Sequence, residues 1–275
     1  MKIVTRMHEA DFPIYTLTSG DDEIVISAFG AQILSWTKAG VPIVFENRER
    51  AVIDGKTPYR GGAPICFPHF GQGTLLPLGT TLAPQHGRAR TTVWDATTAG
   101  DLVLTTVQPA DQGYGPTEFS CELRYSLSDA VRIQATVHND GACEAPFQFA
   151  IHTYWATQEP SKATVTALGC RYLDNLLGLT EQSEPDSSLP HQTPVDRVYL
   201  DAEAKQELLT EHYRVEVETQ GCSGAVLWNP GANHHIEDLG SPDFICLESG
   251  VIMPGRPLAP GEAHQIHVKY GATIR

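Results

Sequence analysis

The sequence predicts an all-β chain, folded over residues 1–275 as one large antiparallel β-sandwich. Three observations carry this. More than ten short runs of β-branched, aromatic and alternating residues follow one another along the chain. Nineteen prolines and 24 glycines supply turns between them. No stretch sustains the 3.6-residue apolar period of a core-facing helix, and no linker divides the chain.

In chain order, Glu23–Phe29 and Gln32–Trp36 flank Gly30-Ala31, and Val41–Phe45 follows a Lys-Ala-Gly turn, which reads as a meander. Leu102–Val107 is the next run. Cys121–Leu127 and Val131–Val137 form a hairpin across Ser128-Asp129-Ala130, with Leu123, Tyr125 and Leu127 opposing Glu122, Arg124 and Ser126. Phe147–Trp155 is a strand whose Phe147, Phe149 and Ile151 face one way and Gln148, Ala150 and His152 the other, the second face forming the floor of a polar cleft. Ala163–Leu168, Tyr213–Glu218, Ala225–Trp228, Phe244–Glu248 and Gln265–Tyr270 complete the pattern. The one helical candidate is Ala202–Leu209, rich in helix formers but barely two turns long. Two segments, 47–92 and 171–199, read as long loops too apolar to be disordered and hence as functional.

A hydrophobic content of 41% with 19% charged residues is a globular composition. The formal net charge of -14 argues against nucleic acid or an anionic membrane as partner, while leaving room for one anionic small molecule held by local arginines. Six scattered cysteines without a CxxC pair read as reduced thiols. The N-terminal MKIVTRMHEADFP has no apolar run of signal-peptide length, so the expectation is a cytoplasmic protein, and nothing in the sequence demands more than one subunit.

The residues able to do chemistry are few. His152 closes an apolar strand; standing alone it reads as a core histidine bonded to carbonyls, and equally as an acid or base titrating near neutrality. Glu248 ends the apolar run Phe244–Leu247, where a carboxylate is costly unless paired or used, and a desolvating wall would raise its pKa toward that of a general base. Pro84-Gln85-His86-Gly87-Arg88-Ala89-Arg90 crowds an amide, an imidazole and two guanidiniums together, and Arg60 with Arg90 would hold a phosphate if the loops converge; surface pairing with carboxylates is the alternative. Asp174 and Asp196 are candidate acceptors for sugar hydroxyls. No metal site is expected, since His234-His235 would point apart in a strand; His69, His138, His191, His212, His264 and His267 read as solvated or structural. No P-loop, GxGxxG or GxSxG occurs.

Arg60-Gly61-Gly62-x-Pro64, Gln85-His86-Gly87-x-Ala89-Arg90, His152-Thr153-Tyr154, Tyr172-Leu173-Asp174, Asp196-Arg197-Val198-Tyr199, Trp228-Asn229-Pro230 and Glu248-Ser249-Gly250, in this order, resemble the aldose 1-epimerase superfamily, in particular its hexose-6-phosphate mutarotase branch. The resemblance covers about residues 24–270. It implies the galactose-mutarotase supersandwich, no cofactor, and exchange of the α and β anomers of a hexose 6-phosphate. By it Glu248 matches the general base and His152 the general acid, on opposite sides of one sugar ring and with pKa values drawn toward neutrality. Arg60, Gln85, Arg90 and Asp196 match substrate-binding positions, the arginines on the phosphate side, and His86 a histidine near the ring. Three departures bear on the substrate. Phe67-Pro68-His69-Phe70 replaces an aromatic pair, and Arg88 stands where the family has Phe; either would reshape or charge the cleft wall. The short, histidine-rich Gly231–Asp243 segment would open the site. Mutarotation of an unphosphorylated sugar such as galactose, and a silent sugar-binding or regulatory module, are the rival functions.

Overall fold

The computed structural model describes residues 1–47, 53–73, 82, 84–108, 117–184 and 193–275. It is built from antiparallel strands, with three short 3-10 turns and no α-helix among the described residues. None of them forms a helix long and apolar enough to cross a membrane. Alternating sequence becomes sheet here because one face of each strand finds a partner layer.

Two eight-stranded sheets face each other, and a five-stranded sheet from the N-terminal 42 residues packs at their side. In the outer sheet the order is Thr164–Thr166, Lys205–Leu209, Tyr213–Gln220, Ala263–Ile274, Val131–Asn139, Phe119–Leu127, Asp101–Gln108 and Asp95–Ala99. Phe119–Leu127 buries every second side chain and leaves the others part-exposed, as a sheet wet on one face must. The site-bearing sheet runs Thr180–Ser183, Arg171–Asp174, Val195–Tyr199, Gly224–Asn229, Phe244–Leu258, Ala145–Ile151 and Ile65–Cys66, with Tyr154–Ala156 also paired to Phe244–Leu258. In Phe244–Leu258 nine consecutive residues, Phe244 to Ile252, are buried: one face meets the core and the other lies beneath the loops that form the cleft. That is why this strand reads as a continuous apolar run.

Aromatic rings join the three sheets. Trp155 of the site-bearing sheet lies 6.3 Å from Trp36 of the N-terminal sheet and 5.0 Å from Tyr270 of the outer one, centroid to centroid. The single Tyr213 O–H is shared between Ile43 O at 2.9 Å and Ala156 O at 2.7 Å, tying the same three layers through buried polar atoms.

The sequence reading is corrected at four places. Lys205–Leu209 is a strand rather than part of a helix: Gln206 and Leu208 point inward and pair with Val217 and Val215, and this tertiary pairing outweighs helix propensity. The 171–199 segment is an edge hairpin, Arg171–Asp174 with Thr180–Ser183, followed by the strand Val195–Tyr199. Lys2–Met7 and Pro13–Ser19, which the sequence reading left unassigned, pair with each other and extend the first meander. Phe147–Trp155 is two strands, interrupted at His152-Thr153.

Candidate active site

The interruption makes the site. Ile151 pairs with Ser249 and Tyr154 with Cys246 in one continuous register, which sets His152 level with Glu248 on the adjoining strand. His152 N–H leaves the ladder and donates to Pro64 O at 2.9 Å, and Tyr154 N–H donates to Gly62 O at 2.9 Å, so the Arg60–Pro64 loop is laid against the gap. His152 Nε2 then stands 3.4 Å from Glu248 Oε1, with both residues buried. The imidazole is stacked on Tyr154 at 4.9 Å and met edge-on by Trp228 at 5.7 Å and His86 at 5.5 Å.

Over this pair opens a cleft of about 300 Å³ lined by Arg60, Gln85, His86, His152, Asp196 and Glu248, together with Phe70, Asn175, Trp228 and Ile236. Gln85 and His86 reach it through a tight loop that continues to Arg90. Gly87 has φ +76°, and a Cβ there would lie 2.0 Å from Phe67 O, so the loop can approach the Phe67–Pro68 backbone only without a side chain. His86 is held by Gly71 N–H donating to Nδ1 at 3.1 Å, which leaves Nε2 as the protonated nitrogen. Arg90 is buried behind the lining: its Nη2 donates to Gln85 O at 2.6 Å, and its Nε has no hydrogen-bond partner among the described residues. Asp196 Oδ2 accepts from Asn175 Nδ2 at 2.7 Å.

Electrostatics follow from burial. Burial, then the nearby Asp196 charge, push the Glu248 carboxyl well above the usual carboxylate range. Burial, then the positive field of Arg90 and Arg60, pull His152 from 6.5 to about 3. His86 is lowered for the same reason, with the His152 field next in size. Asp196 is raised by burial, against the Asn175 bond. Burial therefore favours an uncharged imidazole beside a carboxylic acid over the ion pair, with one proton to share. The expectation that His152 titrates near neutrality does not hold, because its surroundings are both dry and positively charged.

Geometry revises other expectations. At 3.4 Å, His152 and Glu248 leave no room for a sugar ring between them; they lie side by side on the cleft floor. Asp174 faces inward, accepting from Leu176 N–H at 2.9 Å and sitting 3.8 Å from Arg197 Nε, so its carboxylate is spent on the fold. Arg88 is exposed and outside the cleft lining. His69 is buried and bonded through Nε2 to Pro84 O at 2.9 Å, a structural role. Both ring nitrogens of His234 engage backbone, Gly240 O and Ile236 N–H, which suits a turn rather than a metal. The 231–243 segment does not open the site, since Ile236 lines it. His191 lies outside the described residues.

Sequence reading missed several contributors. Cys246 Sγ lies within 4.8 Å of the His152 and Glu248 ligand atoms, and its thiol is pushed well up by burial and by Glu248, so it presents S–H. The signal was available: Cys246 is two residues before Glu248 and so on the same strand face. Trp228, opposite Cys246 in the ladder, was visible only as part of a motif. Asn175 and Ile236 carried no signal, since both come from turns whose course is set by distant strands.

The family model described as aldose 1-epimerase matches residues 13–271. A protein of Cenchrus ciliaris provisionally named a glucose-6-phosphate 1-epimerase is 27% identical over 264 residues, covering 86% of this chain and 77% of its own. One of the same provisional name from Salmonella typhimurium is 26% identical over 234 residues, covering 80% and 76%. Among solved structures, a provisionally named mutarotase of Salmonella typhimurium superposes with a TM-score of 0.83 at 21% identity, over 99% of this chain and 94% of that one. A galactose mutarotase-like protein of Lactobacillus casei gives 0.76 at 17% identity, over 94% and 100%. These two likenesses establish the fold.

Proposed function

The chain belongs to the aldose 1-epimerase family, and we propose that it interconverts the α and β anomers of a hexose 6-phosphate, glucose 6-phosphate first, with His152 and Glu248 as its acid and base. The observation that carries the chemistry is the buried 3.4 Å contact between His152 Nε2 and Glu248 Oε1 on the floor of an open polar cleft. The C1 hydroxyl oxygen and the ring oxygen are attached to one carbon, so two groups side by side can reach both. In ring opening the Glu248 carboxylate takes the hydroxyl proton. The C1–ring oxygen bond breaks with its electron pair moving to the ring oxygen, which takes a proton from the His152 imidazolium. C1 becomes an aldehyde, turns about the C1–C2 bond, and is closed on its other face by the same steps reversed.

One proton shared between the two groups suffices. The charged arrangement, carboxylate and imidazolium, performs the opening. The uncharged arrangement that burial favours is what opening leaves behind, and it performs the closure. In this reading His86 Nε2–H and the Asn175–Asp196 pair, which line the cleft, hold ring hydroxyls. Phosphate specificity rests on Arg60 at the cleft wall, on Arg90 behind Gln85, and on the names of the two relatives. One observation favours an unphosphorylated aldose instead: Asp238 already occupies Arg60 Nε at 2.7 Å.

Glu248→Gln and His152→Ala should each lower catalysed anomerisation by at least about a hundredfold, the scale of general acid–base catalysis, measured by polarimetry above a no-enzyme baseline. Wild-type rates in both variants would end the acid–base assignment, and tight sugar binding without turnover in the wild type would make the chain a binding module. Arg60→Ala should cost kcat/KM for the 6-phosphate about tenfold more than for the neutral sugar, the worth of one charge-assisted contact. Equal losses would favour the neutral substrate.

A further inference from the structure

The structure puts one carboxylate of the segment 231–243 on a cleft arginine. Asp238 Oδ1 accepts from Arg60 Nε at 2.7 Å, and among the described residues this is the guanidinium's one ion pair. Surface pairs of this kind are commonly accidental, but this one is scaffolded from both ends. Asn47 is buried, and its Nδ2 donates both to Arg60 O and to Asp238 O at 2.9 Å, stapling the two backbones together. Asn47 is itself fixed by its N–H donating to Tyr59 Oη at 2.9 Å. On the other side, Leu239 is buried with Tyr154, Phe244 and Cys246, and Ile236 packs on the same cluster. His234 closes the turn through Gly240 O at 3.0 Å. Asp238 therefore stands at Arg60 by construction.

We infer that Asp238 is a specificity-determining residue that sets the anion affinity of the cleft by taking part of the charge and one donor of Arg60. This rests on the reading that Arg60 meets the substrate's phosphate. A phosphate arriving at Arg60 finds the guanidinium partly neutralised and a second negative charge beside it. Both effects weaken anion binding relative to a bare arginine. A neutral sugar meets neither. The chain thus holds an anionic substrate loosely enough to release it, and loses little on an unphosphorylated one.

The test is Asp238→Asn, which keeps an oxygen acceptor for Nε–H and removes the charge. Inorganic phosphate, titrated by calorimetry against the full chain at low ionic strength, reads the anion site without turnover. Its Kd should fall about three- to tenfold in the variant, the size of one near-surface charge interaction, and the gain should shrink in concentrated salt. The kcat/KM of the 6-phosphate relative to the neutral sugar should rise by a similar factor. An unchanged or weaker phosphate affinity in Asp238→Asn overturns the inference, as does a phosphate affinity that Arg60→Ala leaves untouched. Failure of the proposed function is a separate outcome: absence of 6-phosphate turnover in the wild type while the phosphate affinities still follow Asp238.

Discussion

At the scale of single residues the site is defined by opposed shifts on two neighbours. Glu248 is raised and His152 lowered, because burial disfavours the charged form of each and the arginines oppose only the imidazolium. The sign of the pH dependence follows. An ordinary histidine would take up a second proton on the pair near pH 6.5 and extinguish activity below it; His152, lowered to about 3, resists protonation until far lower pH. The acid limb of kcat/KM, which reports the free enzyme, is therefore expected below pH 5, and the alkaline limb reports Glu248 losing the shared proton. A hexose 6-sulfate, whose charge is constant over this range, is the substrate to use, with the spontaneous rate subtracted at each pH. An acid limb at 6 to 7 would show that the arginines and the dry floor do not depress the imidazole as described.

At the scale of elements, what places these residues is a set of strand interruptions, and these divide what was legible from what was not. His152 and Glu248 were readable as polar residues closing apolar runs. Their 3.4 Å approach was not, because it depends on the register of strands almost a hundred residues apart. Lys205–Leu209 was misread because helix propensity is local, whereas its pairing with Tyr213–Gln220 is not. The aspartates of Tyr172-Leu173-Asp174 and Asp196-Arg197 looked alike in sequence, and only their positions at a strand end and on a cleft face separate a cap from a cleft-lining group. Gln148 illustrates the same limit: of the face expected to floor the cleft, His152 lines it, while Gln148 and Ala150 are buried. Where the ladder between Ala145–Ile151 and Phe244–Leu258 shifts register, Gln148 Nε2 donates to Ile252 O at 2.5 Å while its Oε1 accepts from Phe70 N–H at 2.9 Å. The next residue, Gly71, donates to His86 Nδ1. Gln148 is thus a positioning residue for His86. Gln148→Ala should lower stability by about 1–3 kcal/mol through two unsatisfied buried backbone groups, and raise KM more than it lowers kcat, because His86 would lose its orientation and not the acid–base pair. A fall in kcat with unchanged KM would contradict this.

At the scale of the whole molecule, the cleft floor is rigid because three sheets converge beneath it. Tyr154–Ala156, which continues the histidine strand, is clamped between Val44 of the N-terminal region and Ile245 of the long site-bearing strand, both opposite Trp155. From the outer sheet, Tyr213 Oη reaches across to Ile43 O and Ala156 O, one of several polar contacts between layers that share one apolar core. Ile43 O also accepts from Ala156 N–H, so removing the hydroxyl leaves it one partner. Tyr213→Phe should accordingly cost about 1–3 kcal/mol, a fall in Tm of roughly 2–4 °C per kcal/mol for a chain of this size, read by thermal unfolding. Tyr213 is 1% exposed and outside the cleft lining, so kcat is expected to survive at temperatures well below the new Tm. If Tm is unchanged, the Tyr213 hydroxyl does not hold the layers together; if kcat collapses with the fold intact, the floor of the site depends on this one bridge.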